Sequence, residues 1–224
     1  MRHLSVIALL FSLCLLGGCA RKLNVEVSAL ADPGERSGAG GLAGRRCAVL
    51  PARGDVRLDD LQFREFSAQV AASLAQRGCT PARGLEDADV AVLLGYGTGE
   101  SVVVEQQSYV VYRPWGRWRG RMAEIVPVTT SYVFTPCSLS LEARLVEKAP
   151  SGPKAEEGVK LGRQVWKIQA THTGQWVDLR VLFPWLLAAA KDYYGMDSGQ
   201  GVLVRVREED LASAPAPEKT IDAP

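Results

Sequence analysis

The period of the apolar positions changes several times along the chain, and each change predicts an element. Residues 4–16 are almost continuously apolar, broken only by Ser5, Ser12 and Cys14. Residues 20–44 then collect Asp32-Pro33-Gly34, Gly38, Gly40, Gly41 and Gly44, which predicts a turn within a flexible tether. The short run RCAVLP at 46–51 suits a buried strand closed by Pro51. Asp59 followed by Gln62 has the spacing of a capping box, and Phe63, Phe66, Val70 and Leu74 repeat at helical intervals until Gly78. A helix over 59–77 follows, then a short strand at 79–83 and a buried strand from Asp89 to Gly95. Residues 101–112, 125–134 and 138–147 read as three further strands, the last with Leu139, Leu141, Ala143 and Leu145 on one face. A polar loop at 148–162 leads to a strand from Val165 to Ala170, which makes a hairpin with 138–147. Residues 178–194 read as a helix, with Pro184 as a kink or an N1 residue and Gly195 as its stop. A last strand covers Val202 to Val206, and the charged, Ala/Pro-rich tail 208–224 reads as disordered.

The N-terminal run is too short to span a bilayer as a helix, which takes about 20 apolar residues. Behind Met1-Arg2-His3 and ahead of small residues, it has the build of a secretory signal. It ends in Leu16-Gly17-Gly18-Cys19, which resembles the lipobox of bacterial lipoproteins. That resemblance implies removal of residues 1–18. The Cys19 thiol then takes a diacylglycerol and its amine a further acyl chain such as palmitate. Two or more chains anchor stably where one does not. The alternative is ordinary cleavage leaving a free cysteine. Ala20 stands where an Asp would hold a Gram-negative lipoprotein in the inner membrane, which favours the outer membrane facing the periplasm. Some two dozen tether residues, a contour of at most about 80 Å, would then separate lipid from domain.

Composition narrows the functional classes. The 26 basic and 25 acidic residues nearly cancel, which removes the bulk electrostatic case for nucleic-acid binding. Of five cysteines, Cys14 leaves with the signal and Cys19 carries lipid. Cys47, Cys79 and Cys137 remain in an oxidising compartment, where at most one internal bridge forms. Cys47–Cys79 is the preferred pair because both open neighbouring predicted strands; the alternative is three buried apolar cysteines. No CxxC or Cys/His cluster supports a metal, and no cofactor is implied.

Catalytic chemistry finds little footing. His172, in Thr171-His172-Thr173-Gly174, is the only histidine after residue 18 and reads as a surface residue at a strand end. Gly38-Ala39-Gly40 follows no strand, and Gly95-Tyr96-Gly97-Thr98-Gly99 precedes no helix, so neither reads as a nucleotide loop. The segment 113–121 is the most individual one. Arg113, Trp115, Arg117, Trp118, Arg119 and Arg121 together suit anionic or flat partners: headgroups, lipopolysaccharide phosphates, a glycan or a protein hot spot. The alternative is a hairpin tip whose tryptophans fold back onto the sheet.

Several pieces, in order, resemble small bacterial lipoproteins with a single domain of unknown function. They are Leu74-Ala75-Gln76-Arg77-Gly78, Ala88-Asp89-Val90-Ala91-Val92, the Gly/Trp-rich insert, Gly162-Arg163-Gln164-Val165-Trp166 and the helix Asp178 to Gly195. Ala48-Val49-Leu50-Pro51 followed by a helix, with strands flanking Trp166, is also similar to periplasmic domains of curli-secretion-type and peptidoglycan-synthase-activator lipoproteins. The resemblance carries over no catalytic residue. Long amphipathic strands for a membrane barrel are missing, which argues against a pore.

The sequence thus predicts a signal peptide (1–18), a lipidated Cys19 with a flexible tether (19–44), one α+β domain (45–207) and a disordered tail (208–224). The domain is expected to be a mainly antiparallel mixed sheet of about five to seven strands, with two main helices on one face. The expected role is a non-catalytic envelope lipoprotein, held to the membrane by Cys19, that binds an envelope protein, glycan or lipopolysaccharide and no nucleic acid. The alternatives are an accessory subunit of an envelope assembly (secretion or peptidoglycan synthesis) and a hydrolase whose active site is scattered in sequence.

Overall fold

Period-two burial builds most of the molecule. The computed structural model describes residues 21–35, 42–112, 124–148, 159–175 and 177–211. In these, β1 (Lys22–Ala31), β2 (Arg46–Pro51), β3 (Thr80–Pro81), β4 (Val90–Thr98), β5 (Val102–Tyr112), β6 (Glu124–Lys148), β7 (Val159–Gly174) and β8 (Val202–Arg207) form an eight-stranded sheet. Its order is β3-β2-β4-β6-β7-β1-β8, with β5 paired to β6 off this path. The β3-β2-β4 portion is parallel and the remaining pairings are antiparallel. Helix α1 (Leu61–Gln76) makes the crossover within the parallel portion, α2 (Leu179–Ala190) precedes β8, and a single turn, α3 (Glu208–Leu211), follows it.

Three sequence expectations change here. The tether does not begin at residue 20: residues 22–31 form β1, an inner strand hydrogen-bonded to β7 on one side and β8 on the other. Val25, Val27 and Ala29 are buried while Asn24, Glu26, Ser28 and Leu30 are exposed, so alternating polar residues disguised a half-buried strand. The domain therefore starts before residue 45. The predicted strands 125–134 and 138–147 are one strand, β6, which runs through Pro136 without a break. The tail begins with the helical turn α3, and residues 212–224 lie outside the described residues.

Both main helices lie on one face of the sheet. Val25, Val27, Val92, Leu94, Leu139, Leu141, Ile168 and Ala170 meet Phe63, Phe66, Val70 and Leu74 of α1 and Phe183, Leu186 and Ala190 of α2. Phe66 stacks on Phe183 with centroids 3.9 Å apart and planes 3° from parallel, and Tyr96 of β4 meets Phe66 edge-on at 4.9 Å. Such contacts add to the burial of ring area. The opposite face presents Glu26, Ser28, Lys167 and Gln169 to solvent. It is the polar side of a one-sided sheet.

Helix ends follow local chemistry. Asp60, one residue later than the predicted cap, accepts the Phe63 N–H at 2.9 Å, while Asp59 pairs with Arg57. Gly78 ends α1 at φ 84° and Gly195 follows α2 at φ 66°, both in the left-handed region that favours glycine. Pro184 is neither N1 nor a helix end; α2 continues through it, and Asp178 caps the helix by accepting the Arg180 N–H. Cys47 of β2 is disulfide-bonded to Cys79, just ahead of β3, across a Cα–Cα distance of 6.1 Å. Cys137 is a buried free thiol. Asp89 accepts the Arg46 N–H at 2.9 Å, which ties the starts of β2 and β4 and holds its carboxyl below the ordinary value.

Three outcomes follow from this packing. Phe66→Ala is expected to cost about 3–5 kcal/mol in denaturant unfolding, because it removes a ring from both an aromatic stack and the core. Replacing Cys47 and Cys79 together with alanine is expected to cost about 3–4 kcal/mol on loop-closure grounds. Because the folded Asp89 carboxyl is more acidic than in the unfolded chain, its contribution is present above the ordinary carboxylate range and lost as pH falls through the folded value. Acid titration of stability is therefore expected to be shallower in Asp89→Asn, and an unchanged titration would show that Asp89 carries none of the acid sensitivity.

Candidate functional site

The half of β6 that follows the body of the sheet and the half that leaves it have different chemistry. Cys137, Leu139, Leu141 and Ala143 are buried, whereas every described side chain from Val126 to Ser131 is exposed. This outer half, residues 124–134, pairs only with β5, in unbroken register from Val102↔Phe134 to Tyr112↔Glu124. β5 in turn pairs only with β6. A two-stranded ribbon results, with both outer edges free of strand partners among the described residues.

The ribbon is an extension of β4 and β6. Thr98 faces Cys137 and Val102 faces Phe134, so residues 99–101 oppose residues 135–136. One extra residue on the β4–β5 side makes a bulge, held by the Gly99 N–H to the Pro136 carbonyl at 2.8 Å and by Ser101 and Thr135 hydroxyls 2.6 Å apart. Bulges of this kind bend and twist a strand pair. Beyond it, eleven rungs extend about 36 Å at strand rise.

The ribbon's side chains are banded. Val102, Val103, Val104 and Val133 are exposed at its root. Glu105, Gln106, Gln107 and Ser108 face Ser131, Thr130, Thr129 and Val128 in the middle. Tyr109 (68% exposed), Val110, Val126 and Val128 are exposed towards its far end. Consecutive apolar residues put apolar groups on both faces. A lone two-stranded ribbon is marginally stable in water, and a long apolar edge is a site of association. The strand ends Tyr112 and Glu124 lead into the Arg/Trp segment; Arg113, Trp115, Arg117, Trp118, Arg119 and Arg121 lie outside the described residues, as does Cys19.

The ribbon leaves from the same sheet edge at which β1 begins. Glu26 faces Thr171, and Thr135 faces Gly174, so continuing the registers puts Lys22 level with Phe134. At this edge Arg21, Lys22 and Leu23 line a hollow with Val181, Leu182 and Trp185 of α2 and the cap residue Asp178. Val181 is exposed there, and Trp185 is just covered. With Val177, the lining is one acid, two bases and five apolar side chains, which is no catalytic pattern.

The other sequence candidates stand apart from the ribbon. His172 lies on β7 with Nδ1 2.8 Å from the Asn24 carbonyl, a strand-to-strand contact with β1. The two remaining cysteine candidates, Cys47 and Cys79, lie towards the β3 edge of the sheet. Tyr194, missed by the sequence reading, is buried against Trp166 and shares a 3.0 Å hydrogen bond with Ser73; burial pushes its hydroxyl up to about 12. It ties the end of α2 to α1. No group of three or more His, Cys, Asp or Glu side chains suited to a metal occurs among the described residues.

No family model matches the chain, and no curated protein matches it. Among solved structures, the chain is similar to a DUF4136 family protein from Bacteroides thetaiotaomicron, with 15% identity over 75% of this chain and 92% of that one, and a TM-score of 0.34. A likeness at this level identifies neither a fold nor a family. None of these comparisons shows the expected likeness to curli-secretion-type or synthase-activator lipoproteins.

Proposed function

We propose that this chain is a lipid-anchored envelope lipoprotein whose β5–β6 ribbon acts as a non-catalytic binding arm. The observation that carries this reading is the ribbon itself: exposed apolar side chains on both faces and, among the described residues, two edges without strand partners. Such a surface is costly to leave in water and earns its place by contact with something else. The lipobox-like Leu16-Gly17-Gly18-Cys19 supplies the anchor, and Ala20 favours the outer membrane. The Arg/Trp segment between Tyr112 and Glu124 adds cations and aromatic rings, which suit an envelope protein, a glycan or lipopolysaccharide.

β1 shortens the leash expected from sequence. Cys19 stands three residues ahead of Lys22, no more than about 11 Å of extended chain. An anchored domain is then held against its membrane by one edge of the sheet. Intact mass measurement of the protein purified from its native envelope tests the anchor. The expected mass lacks residues 1–18 and carries a diacylglycerol, with or without a third acyl chain, and Cys19→Ser is expected to remain an unprocessed precursor. A mature form with an unmodified Cys19 would overturn the anchored reading.

A further inference from the structure

We infer that the β5–β6 ribbon docks on the surface of the same bilayer that holds Cys19, with its far end in the headgroup zone. This rests on the anchored reading above. The geometric basis is the shared edge: β1 begins level with Phe134, where the ribbon leaves the body of the sheet. Three residues link that edge to Cys19, whereas eleven rungs of ribbon continue past it. The Cys19 backbone can stand no more than about 11 Å beyond the edge, and the ribbon is about 36 Å long. A ribbon of that length, leaving from the anchored edge, meets the membrane and either lies along it or enters its surface.

The banding decides how deep it goes. Tyr109, Val110, Val126 and Val128 offer apolar groups towards the far end, and Tyr is a residue of the membrane–water interface. Glu105, Gln106, Gln107, Thr129, Thr130 and Ser131 form a polar band between that end and the root. Neither ribbon edge has a strand partner among the described residues, and edge N–H and C=O groups are met by hydrated headgroups and not by hydrocarbon. The ribbon is therefore an interfacial element and does not cross the bilayer. Arg21 and Lys22, both exposed beside the anchor, add attraction to anionic lipid.

The test uses the natural lipidated protein in vesicles of phosphatidylethanolamine and phosphatidylglycerol. A nitroxide is attached at Tyr109→Cys or, as the control, at Lys167→Cys on the exposed polar face of the sheet. Cys47 and Cys79 are bonded and Cys137 is buried, which leaves the introduced thiol as the reactive one among the described residues. The expected result is a shift of the Tyr109 label towards oxygen and away from a water-soluble nickel chelate, with the Lys167 label unmoved. Val110→Ser combined with Val126→Ser and Val128→Ser is expected to abolish that shift while leaving the thermal midpoint in place. If both labels stay in water although mass measurement finds Cys19 acylated, the docking inference is overturned and the anchored reading survives. Spin–spin broadening between Tyr109 labels on different molecules would overturn it in favour of a second copy. An unacylated Cys19 overturns both readings together.

Discussion

Strand β6 is the constraint on which the rest of the molecule depends. Its inner half is the ladder partner of both β4 and β7, and through β7 it holds β1 and β8. Cys137, Leu139, Leu141 and Ala143 place four buried side chains beneath the two helices. The Phe66–Phe183 stack and Tyr96 close the core above the same region. Because one backbone runs from this core into the ribbon, the folded body dictates where the ribbon starts and which rung faces which. The bulge at residues 99–101 then redirects the arm without disturbing the inner register.

The two halves of β6 also divide the energetics. In the body, period-two burial gives each strand a dry face and a wet face, and the polar side needs no cover. In the ribbon, no described helix or second sheet covers the faces, and Val102, Val103, Tyr109, Val110, Val126 and Val128, of both parities, remain exposed. A globular domain has no use for such an arm in its own stability. The same exposed residues become favourable once they meet a surface with apolar and polar zones, and a membrane interface offers both within a few ångströms. On the proposed anchored reading, the proximity of β1 to Cys19 turns that general affinity into a geometric one, since Cys19 and the ribbon would leave from one edge.

Five polar side chains have structural partners. His172 bonds to a backbone carbonyl, Asp60 and Asp178 cap helices, Asp89 joins two strand starts, and Tyr194 links α2 to α1. Their positions follow from folding needs, and each already has a partner that accounts for it.

Local chemistry alone determined the helical stripe from Phe63 to Leu74 and the glycine stops at Gly78 and Gly195. Each of these depends on neighbours within a few residues, and so does the short run that became β2. The sequence also held the alternation of Val25, Val27 and Ala29, but charged and glycine-rich neighbours masked it; only pairing with β7 and β8 made residues 22–31 a strand. The ribbon was visible as two strands rich in valine on both parities, yet nothing local says whether such strands will be covered. That depends on where α1 and α2 pack, which is decided by long-range contacts such as Phe66 with Phe183. The tertiary structure also decided the distance between Cys19 and the domain. A stretch of about two dozen residues reads as a long leash until residues 22–31 within it are drawn into the middle of a sheet, which leaves Cys19 three residues from the edge where the ribbon begins.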